Sequence, residues 1–317
     1  MSDKFTKENL IKTCLDSVFE NNCIRHLRCR NDWPLGSQEL SVSIKGKDIV
    51  VTNAHREQSE IRFNFVLSLI KSTIENYNLN LDCNILIATH DAVGPNQKYT
   101  RLCFAESLES NHIQIPDPHI FFHIKQIQSH LEKDTPFADK EDKISFFGSD
   151  TGALDEGLLN QRIRFCNSAT IFPEKIIAKI TNFVHFKREM IEDLGILTEE
   201  ISAPYTPISE QLKYKYLLDI DGNASSWDRT PWGMASNSYL IHLKSTLCKE
   251  VSWYYPFIKE EGILPIVSGD DVLNFKVSYN EKIKAKQKVF ASIILNQETQ
   301  LEYMKGVLER YNELYNQ

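Results

Sequence analysis

The chain reads as an α/β protein, and two observations say so. Over residues 214–244, a short apolar run (Tyr216, Leu217, Leu218, Ile220) gives way to Asp221-Gly222-Asn223. A small, polar segment follows, and a second apolar run occupies 239–243. Runs of that length bounded by turn residues suit buried strands, so the unit is strand, polar loop, helix, strand. Comparable runs at 85–88, 144–147 and 264–267 alternate with helical patterns. In an open α/β sheet, ligands lie where strands end and helices begin. Ser225 or Ser226 is placed to cap the helix that follows the turn, with Arg229 near its start.

Composition sets the outer limits. The 317 residues allow one large or two ordinary domains, and 42% hydrophobic with 25% charged residues is a globular balance. No apolar run reaches about 18 residues, so no membrane-spanning helix is expected. The opening Met-Ser-Asp-Lys-Phe-Thr-Lys carries no apolar leader region. A formal charge of -7 argues against a nucleic-acid partner. The seven cysteines, at 14, 23, 29, 83, 103, 166 and 248, form no Cys-x-x-Cys pair. They read as reduced, mostly buried thiols of a cytoplasmic protein.

In chain order, Thr6 opens a helical pattern with Leu10, Ile11, Cys14, Leu15, Val18 and Phe19 on one face. A basic stretch follows, Arg25, His26, Arg28 and Arg30 before Trp33. It reads as a solvated, salt-bridged edge, with contact to an anionic acceptor or the inner membrane surface as the sharper alternative. Leu40, Val42 and Ile44 alternate with polar residues, Lys45-Gly46-Lys47-Asp48 turns, and Ile49-Val50-Val51 returns as a β-hairpin. Ile61, Phe65, Val66, Leu69, Ile70 and Ile74 define a long amphipathic helix. The strand at 85–88 stops at Thr89-His90-Asp91. A carboxylate at such a strand end projects into the crevice, where it can take a proton from a hydroxyl.

Pro116-Asp117-Pro118 is a rigid entry to a segment in which His119 and His123 share a helix face. No Glu follows the first His, so the zinc-protease pattern fails and the pair reads as packing or surface histidines. Residues 131–143 are polar with one Pro and read as an interdomain linker or surface loop. The strand at 144–147 ends in Gly148-Ser149-Asp150-Thr151-Gly152, ahead of a helix with Arg162 and Arg164. Such a turn can cradle phosphate through backbone N–H groups, although a plain strand-to-helix turn has the same composition. After Lys244, Trp253-Tyr254-Tyr255-Pro256-Phe257 precedes the strand at 264–267, and Gly269-Asp270-Asp271-Val272 starts a helix. From Lys282 onward the chain is helical and charged.

The order Asp221-Gly222-Asn223, Trp227, Arg229, Ala235-Ser236 and Lys244 resembles the signature of glycosyltransferase family 90. These are the capsule-associated and Rumi-type O-glycosyltransferases. One residue is inserted here between Trp227 and Arg229. Gly148, Thr151, Gly152, Arg162 and Arg164 match a second family segment, with Phe147 in place of its usual Arg. Asp91 matches the family's catalytic base, with His90 for the usual Arg and Val93 for the usual Pro.

The resemblance implies two Rossmann-like domains facing a cleft, of GT-B type. Residues 1–138 would be the acceptor-side domain, with the C-terminal helix 291–317 packing back on it, and 139–290 the donor-binding domain. It implies an inverting, metal-independent transfer from a nucleotide sugar, a UDP-hexose or UDP-pentose. The acceptor would be a hydroxyl of a bacterial glycan or glycolipid such as lipopolysaccharide core or capsule, reached at the cytoplasmic membrane face. Asp91 would be catalytic. Gly148, Thr151, Gly152, Arg162, Arg164, Asp221, Gly222, Asn223, Ser226, Arg229 and Lys244 would bind the donor. No cofactor is implied beyond that co-substrate. Asp219-Ile220-Asp221 is also an Asp-x-Asp pair, which in another glycosyltransferase fold holds a divalent metal. Such a site needs several converging oxygens, so no metal is assigned. The competing reading is a nucleotide-sugar or glycan-binding module without catalysis, which would keep Asn223 and Arg229 but need no base.

Overall fold

The computed structural model describes residues 5–20, 27, 38–54, 60–90, 99–106, 110, 112–152, 154, 159–245 and 251–317. Its elements run α1 (Lys7–Glu20), β1 (Glu39–Gly46), β2 (Asp48–Ala54), α2 (Glu60–Tyr77), β3 (Leu81–Ala88), β4 (Leu102–Cys103), β5 (Ala105–Glu106), β6 (Ile113–Gln114) and α3 (Pro118–Leu131). Next come β7 (Glu141–Ser149), α4 (Gln161–Ala169), β8 (Ile176–Asn182), α5 (Arg188–Glu192), α6 (Thr198–Ile201), α7 (Ile208–Gln211), β9 (Tyr214–Asp219), α8 (Arg229–Ala235) and β10 (Tyr239–Leu243). The chain closes with β11 (Val251–Ser252), α9 (Tyr255–Glu261), β12 (Ile266–Val267), α10 (Gly269–Leu273), α11 (Glu281–Ile294) and α12 (Gln297–Asn316). The α/β class read from the sequence is what the chain adopts. No helix among the described residues is long and apolar enough to cross a membrane.

Contacts divide the chain into two units. The first is Met1–Phe122 with Lys249–Glu260 and Asn296–Gln317; the second is His123–Cys248 with Glu261–Leu295. The first unit holds a mixed sheet in the order β2-β1-β3-β4-β6. The hairpin β1–β2 and the pair β1–β3 are antiparallel, and β3, β4 and β6 are parallel. A one-residue turn at Lys47 can only reverse the chain, whereas parallel neighbours need a crossover. The C-terminal helix α12 belongs to this unit. Its Tyr303 stacks on Trp253 at 4.2 Å and donates to the Gln114 carbonyl at 2.9 Å. Gly306 admits α1: a Cβ there would lie 2.4 Å from Leu15 Cδ1.

The second unit holds a wholly parallel sheet in the order β8-β7-β9-β10-β12. In chain order its strands lie second, first, third, fourth, fifth, so the direction of winding reverses between β7 and β9. That is the doubly wound pattern, with its switch point between those two strands. The interior strands are buried on both faces, as parallel strands are: every residue of β10 is buried. Ile144, Phe146, Leu218, Ile220, Ile241 and Leu243 build one core with Ile163 and Cys166 of α4 and Val272 of α10. Helix α8 packs on β9 and β10 and against α11. There Lys284 donates to the Met234 carbonyl at 2.9 Å, satisfying a carbonyl near the end of α8.

The polar stretch 131–143, expected as a linker or surface loop, is partly internal to the second unit. Asp134 and Lys140 form an ion pair whose side chains are almost wholly buried. Asp134 also accepts from the Asn237 backbone N–H at 2.5 Å, and Lys140 donates to the Leu212 carbonyl. Burial pushes the Lys140 amine below its ordinary pKa, with Asp134 opposing. Polar composition concealed this because each charge is cancelled inside the fold. Removing one partner strands the other in a low dielectric. Asp134→Ala is therefore expected to cost about 3–5 kcal/mol of stability, measured by denaturant unfolding against wild type.

Candidate functional site

The site is built where β7 and β9 separate. The two strands pair at Glu141/Tyr214, Ile144/Tyr216 and Ser145/Leu217, and no further. Beyond that point carbonyls facing the gap lose their ladder partners, and buried carbonyls must be paired. Two arginines supply the donors. Arg162, on α4, donates through Nη1 to the Ser149 carbonyl at 3.1 Å and to Thr151 Oγ1 at 2.8 Å. Its Nη2 reaches the Ile220 carbonyl at 2.7 Å, and its Nε the Asp221 carbonyl at 3.0 Å. Arg229, the first residue of α8, donates to the Phe147 carbonyl and to Gln211 Oε1 at 3.0 Å. Both guanidiniums lie against the Phe146 ring, at 5.6 and 5.2 Å from its centroid. Burial, and then the neighbouring Arg229, lower the Arg162 pKa to about 10. Burial lowers that of Arg229 as well.

Two turns meet over this gap. Gly152 N–H donates to Asn223 Oδ1 at 3.1 Å, latching the turn after β7 to the turn after β9. Gly152 has φ of 137°, a conformation that favours glycine, and the Asp221 and Gly222 carbonyls lie 3.6 Å from where its Cβ would be. Gly222 sits directly on the clamp, since a Cβ there would lie 3.0 Å from Thr151 Oγ1 and 3.1 Å from Arg162 Nη2. Gly148 lies under the Phe146 ring, where a Cβ would come within 2.9 Å of Cζ. Ser226 is buried beneath the second turn, its hydroxyl 3.4 Å from the Ile220 carbonyl. The cap of α8 falls at Asp228 rather than at Ser225 or Ser226, because the chain stays non-helical through Trp227.

The structure thus gathers Gly148, Thr151, Gly152, Arg162, Asp221, Gly222, Asn223, Ser226 and Arg229 at one switch point. Arg164 and Lys244 are exposed. Lys244 directly follows β10, close to the start of α4, with its carbonyl accepting from Gln161 Nε2 at 2.7 Å. Asp91, the expected base, lies outside the described residues, as do Arg25, His26, Arg28, Arg30 and Trp33 and the side chain of His119.

Sequence reasoning missed two groups. Asp150 is fully buried and accepts the backbone N–H groups of Val184, His185 and Phe186 at 2.5, 3.1 and 2.9 Å. It thereby ties the loop after β8 to the turn after β7. His242, inside β10, is the cross-strand neighbour of Asp219. Its Nδ1 lies 3.2 Å from Asp219 Oδ2, and its Nε2 lies 3.5 Å from Asp221 Oδ2. The signal was available: an Asp and a His inside buried strands each require a partner.

Burial pulls the His242 pKa down, but the two carboxylates outweigh it and raise it to about 10. Burial works to raise Asp219, yet the hydrogen bond and charge of His242 prevail and hold it low. Asp221, where burial dominates, is raised. Among the described residues no group of three or more His, Cys, Asp or Glu is arranged to hold a metal ion. An open groove of about 340 Å³ beside β8, lined by Ala169, Thr170, Pro173, Ile176 and Glu200 among others, shares no residue with the paired turns. No protein-family model matches the chain, and no curated protein matches it.

Two outcomes are expected. Gly222→Ala presses a methyl group onto a guanidinium held by four acceptors, and should destabilise the fold by about 1–3 kcal/mol, read from chemical denaturation. His242 has a folded pKa near 10 against an ordinary 6.5, so its stabilisation is complete below 6.5 and lost as pH rises towards about 10. The melting-temperature gap between wild type and His242→Asn should narrow across that window.

Proposed function

We propose that the chain is an inverting glycosyltransferase that uses a nucleotide-sugar donor, a UDP-hexose or UDP-pentose. The acceptor is a hydroxyl of a bacterial surface glycan or glycolipid, such as lipopolysaccharide core or capsule, met at the cytoplasmic membrane face. One observation supports this most. Donor-site residues named from separate stretches of sequence, around 148–164 and 221–229, converge at the switch point of a doubly wound sheet. That is where such sheets take nucleotides. The two α/β units are then the acceptor and donor halves of a GT-B-type enzyme.

In this reading the turns after β7 and β9 receive the diphosphate through backbone N–H groups. Arg162 and Arg229 act from beneath. Their side chains hold carbonyls, and their charge favours the anion above them. Of the cations in the donor set, Arg164 and Lys244 are exposed. Asp91 takes the proton of the acceptor hydroxyl. The hydroxyl oxygen bonds to the anomeric carbon from the face opposite the leaving group, the bond to the nucleoside diphosphate breaks, and the configuration inverts. Transfer proceeds without a metal ion, because Asp219 and Asp221 both turn a carboxylate oxygen to His242.

The test is a screen of nucleotide sugars for turnover in excess chelator, followed by Asp91→Asn with the donor found. A UDP-sugar should be consumed, and the variant should lose about 100- to 10,000-fold in rate while still binding UDP. Wild-type rates in Asp91→Asn would remove the base. Binding of a nucleotide sugar without any turnover would favour the non-catalytic module.

A further inference from the structure

His242 does not belong to the set that the sequence assigned to the donor, and the geometry gives it a task. Its ring lies between two carboxylates, Asp219 on the adjacent strand and Asp221 at the start of the paired turns. A neutral imidazole has one N–H and one lone pair, so it can serve only one carboxylate as a donor. Serving both requires both nitrogens to be protonated. Several named groups surround the ring, while Asp219 Oδ1 is buried without a hydrogen-bond partner. Thr230 Oγ1, on α8, lies 3.1 Å from Asp219 Oδ2, Arg229 acts on Asp219, and Arg162 acts on Asp221. Ser226 closes the same pocket from the turn. Three cations, Arg162, Arg229 and His242, stand with three carboxylates, Asp219, Asp221 and Asp228, so the imidazolium charge is what keeps the group beneath the turns from being net negative.

We propose that His242 is the positioning residue of the Asp221–Asn223 turn: as an imidazolium bridging Asp219 and Asp221, it holds the turn in place and makes its charge acceptable to a diphosphate. The first half stands on the geometry of His242 alone; the second rests on the donor-site reading above. Without the ring proton, Asp221 would face Asp219 across the pocket, and the charge beneath the turns would become net negative. The Asp221 main chain is also what Arg162 grips, and two residues later Asn223 latches Gly152. A displaced Asp221 therefore disturbs both the clamp and the latch.

The experiment has a ligand-free arm and a ligand arm. Ring-nitrogen NMR of the wild-type chain at about pH 8 should find both His242 nitrogens protonated, where an ordinary histidine is neutral. A neutral ring overturns the proposal without any variant. Hydrogen exchange of the Gly152 amide should quicken in His242→Asn and His242→Gln, and Asp221→Asn added to either should slow it again. Unchanged exchange in a folded variant, or no rescue, also overturns it.

In the ligand arm, the probes are UDP and inorganic pyrophosphate. His242→Asn should weaken both by about tenfold, as loss of one nearby charge would, and Asp221→Asn should restore pyrophosphate binding. Equal affinity in wild type and His242→Asn removes the charge role. If the wild type binds neither probe while the ligand-free arm succeeds, the donor reading fails and the positioning role stands.

Discussion

The separation of β7 from β9 is the constraint on which the rest of the second unit depends. A doubly wound sheet must reverse its winding somewhere, and at that place two neighbouring strands lead to helices on opposite faces. Here the ladder ends at Ser145 and Leu217, and carbonyls on both strand ends are left without strand partners. Water is the usual answer in an open crevice. This chain instead closes the gap with Arg162 and Arg229, which together take the carbonyls of Phe147, Ser149, Ile220 and Asp221. Delocalised guanidiniums suit this because they offer several donors in fixed directions and tolerate burial better than an ammonium.

Much follows from that closure. Glycine is required at 222 because the clamp leaves no room for a side chain, and at 152 because the backbone must cross in a left-handed conformation. Two buried cations need counter-charge, and Asp219 and Asp221 provide it. Two carboxylates so close need a proton between them, and His242 carries one. The arrangement is a single network rather than a set of separate contacts, so each member is expected to be coupled to the others.

Legibility in the sequence varied with the physical origin of each feature. The hairpin, the first two helices, and the strand cores at 85–88, 144–147, 216–219 and 239–243 were readable, whereas the starts of the strands at 81 and 141 were not. Each is specified by local apolar spacing and turn residues. The glycines and asparagines of the two turns stood out for the same reason. Most of 131–143 is exposed, as a surface loop would be, but the buried pairing of Asp134 with Lys140 was hidden, because a charged composition looks the same whether its charges face water or each other. The start of α8 was placed two or three residues early, since Ser225 and Ser226 have capping chemistry, whereas the N-cap position falls at Asp228, whose side chain makes no cap hydrogen bond.

By itself, the sequence determined the α/β class, the order of the main elements and the two turn segments, because those depend on neighbours along the chain. Tertiary structure alone decided that the turns after β7 and β9 are latched together, although 71 residues separate Gly152 from Asn223. It decided that Arg162 and Arg229 hold carbonyls, that Asp150 anchors the loop after β8, and that His242 stands between Asp219 and Asp221. Strand order brings these groups into contact, and strand order is set by the packing of helices on the sheet, a long-range property that no local pattern of residues carries.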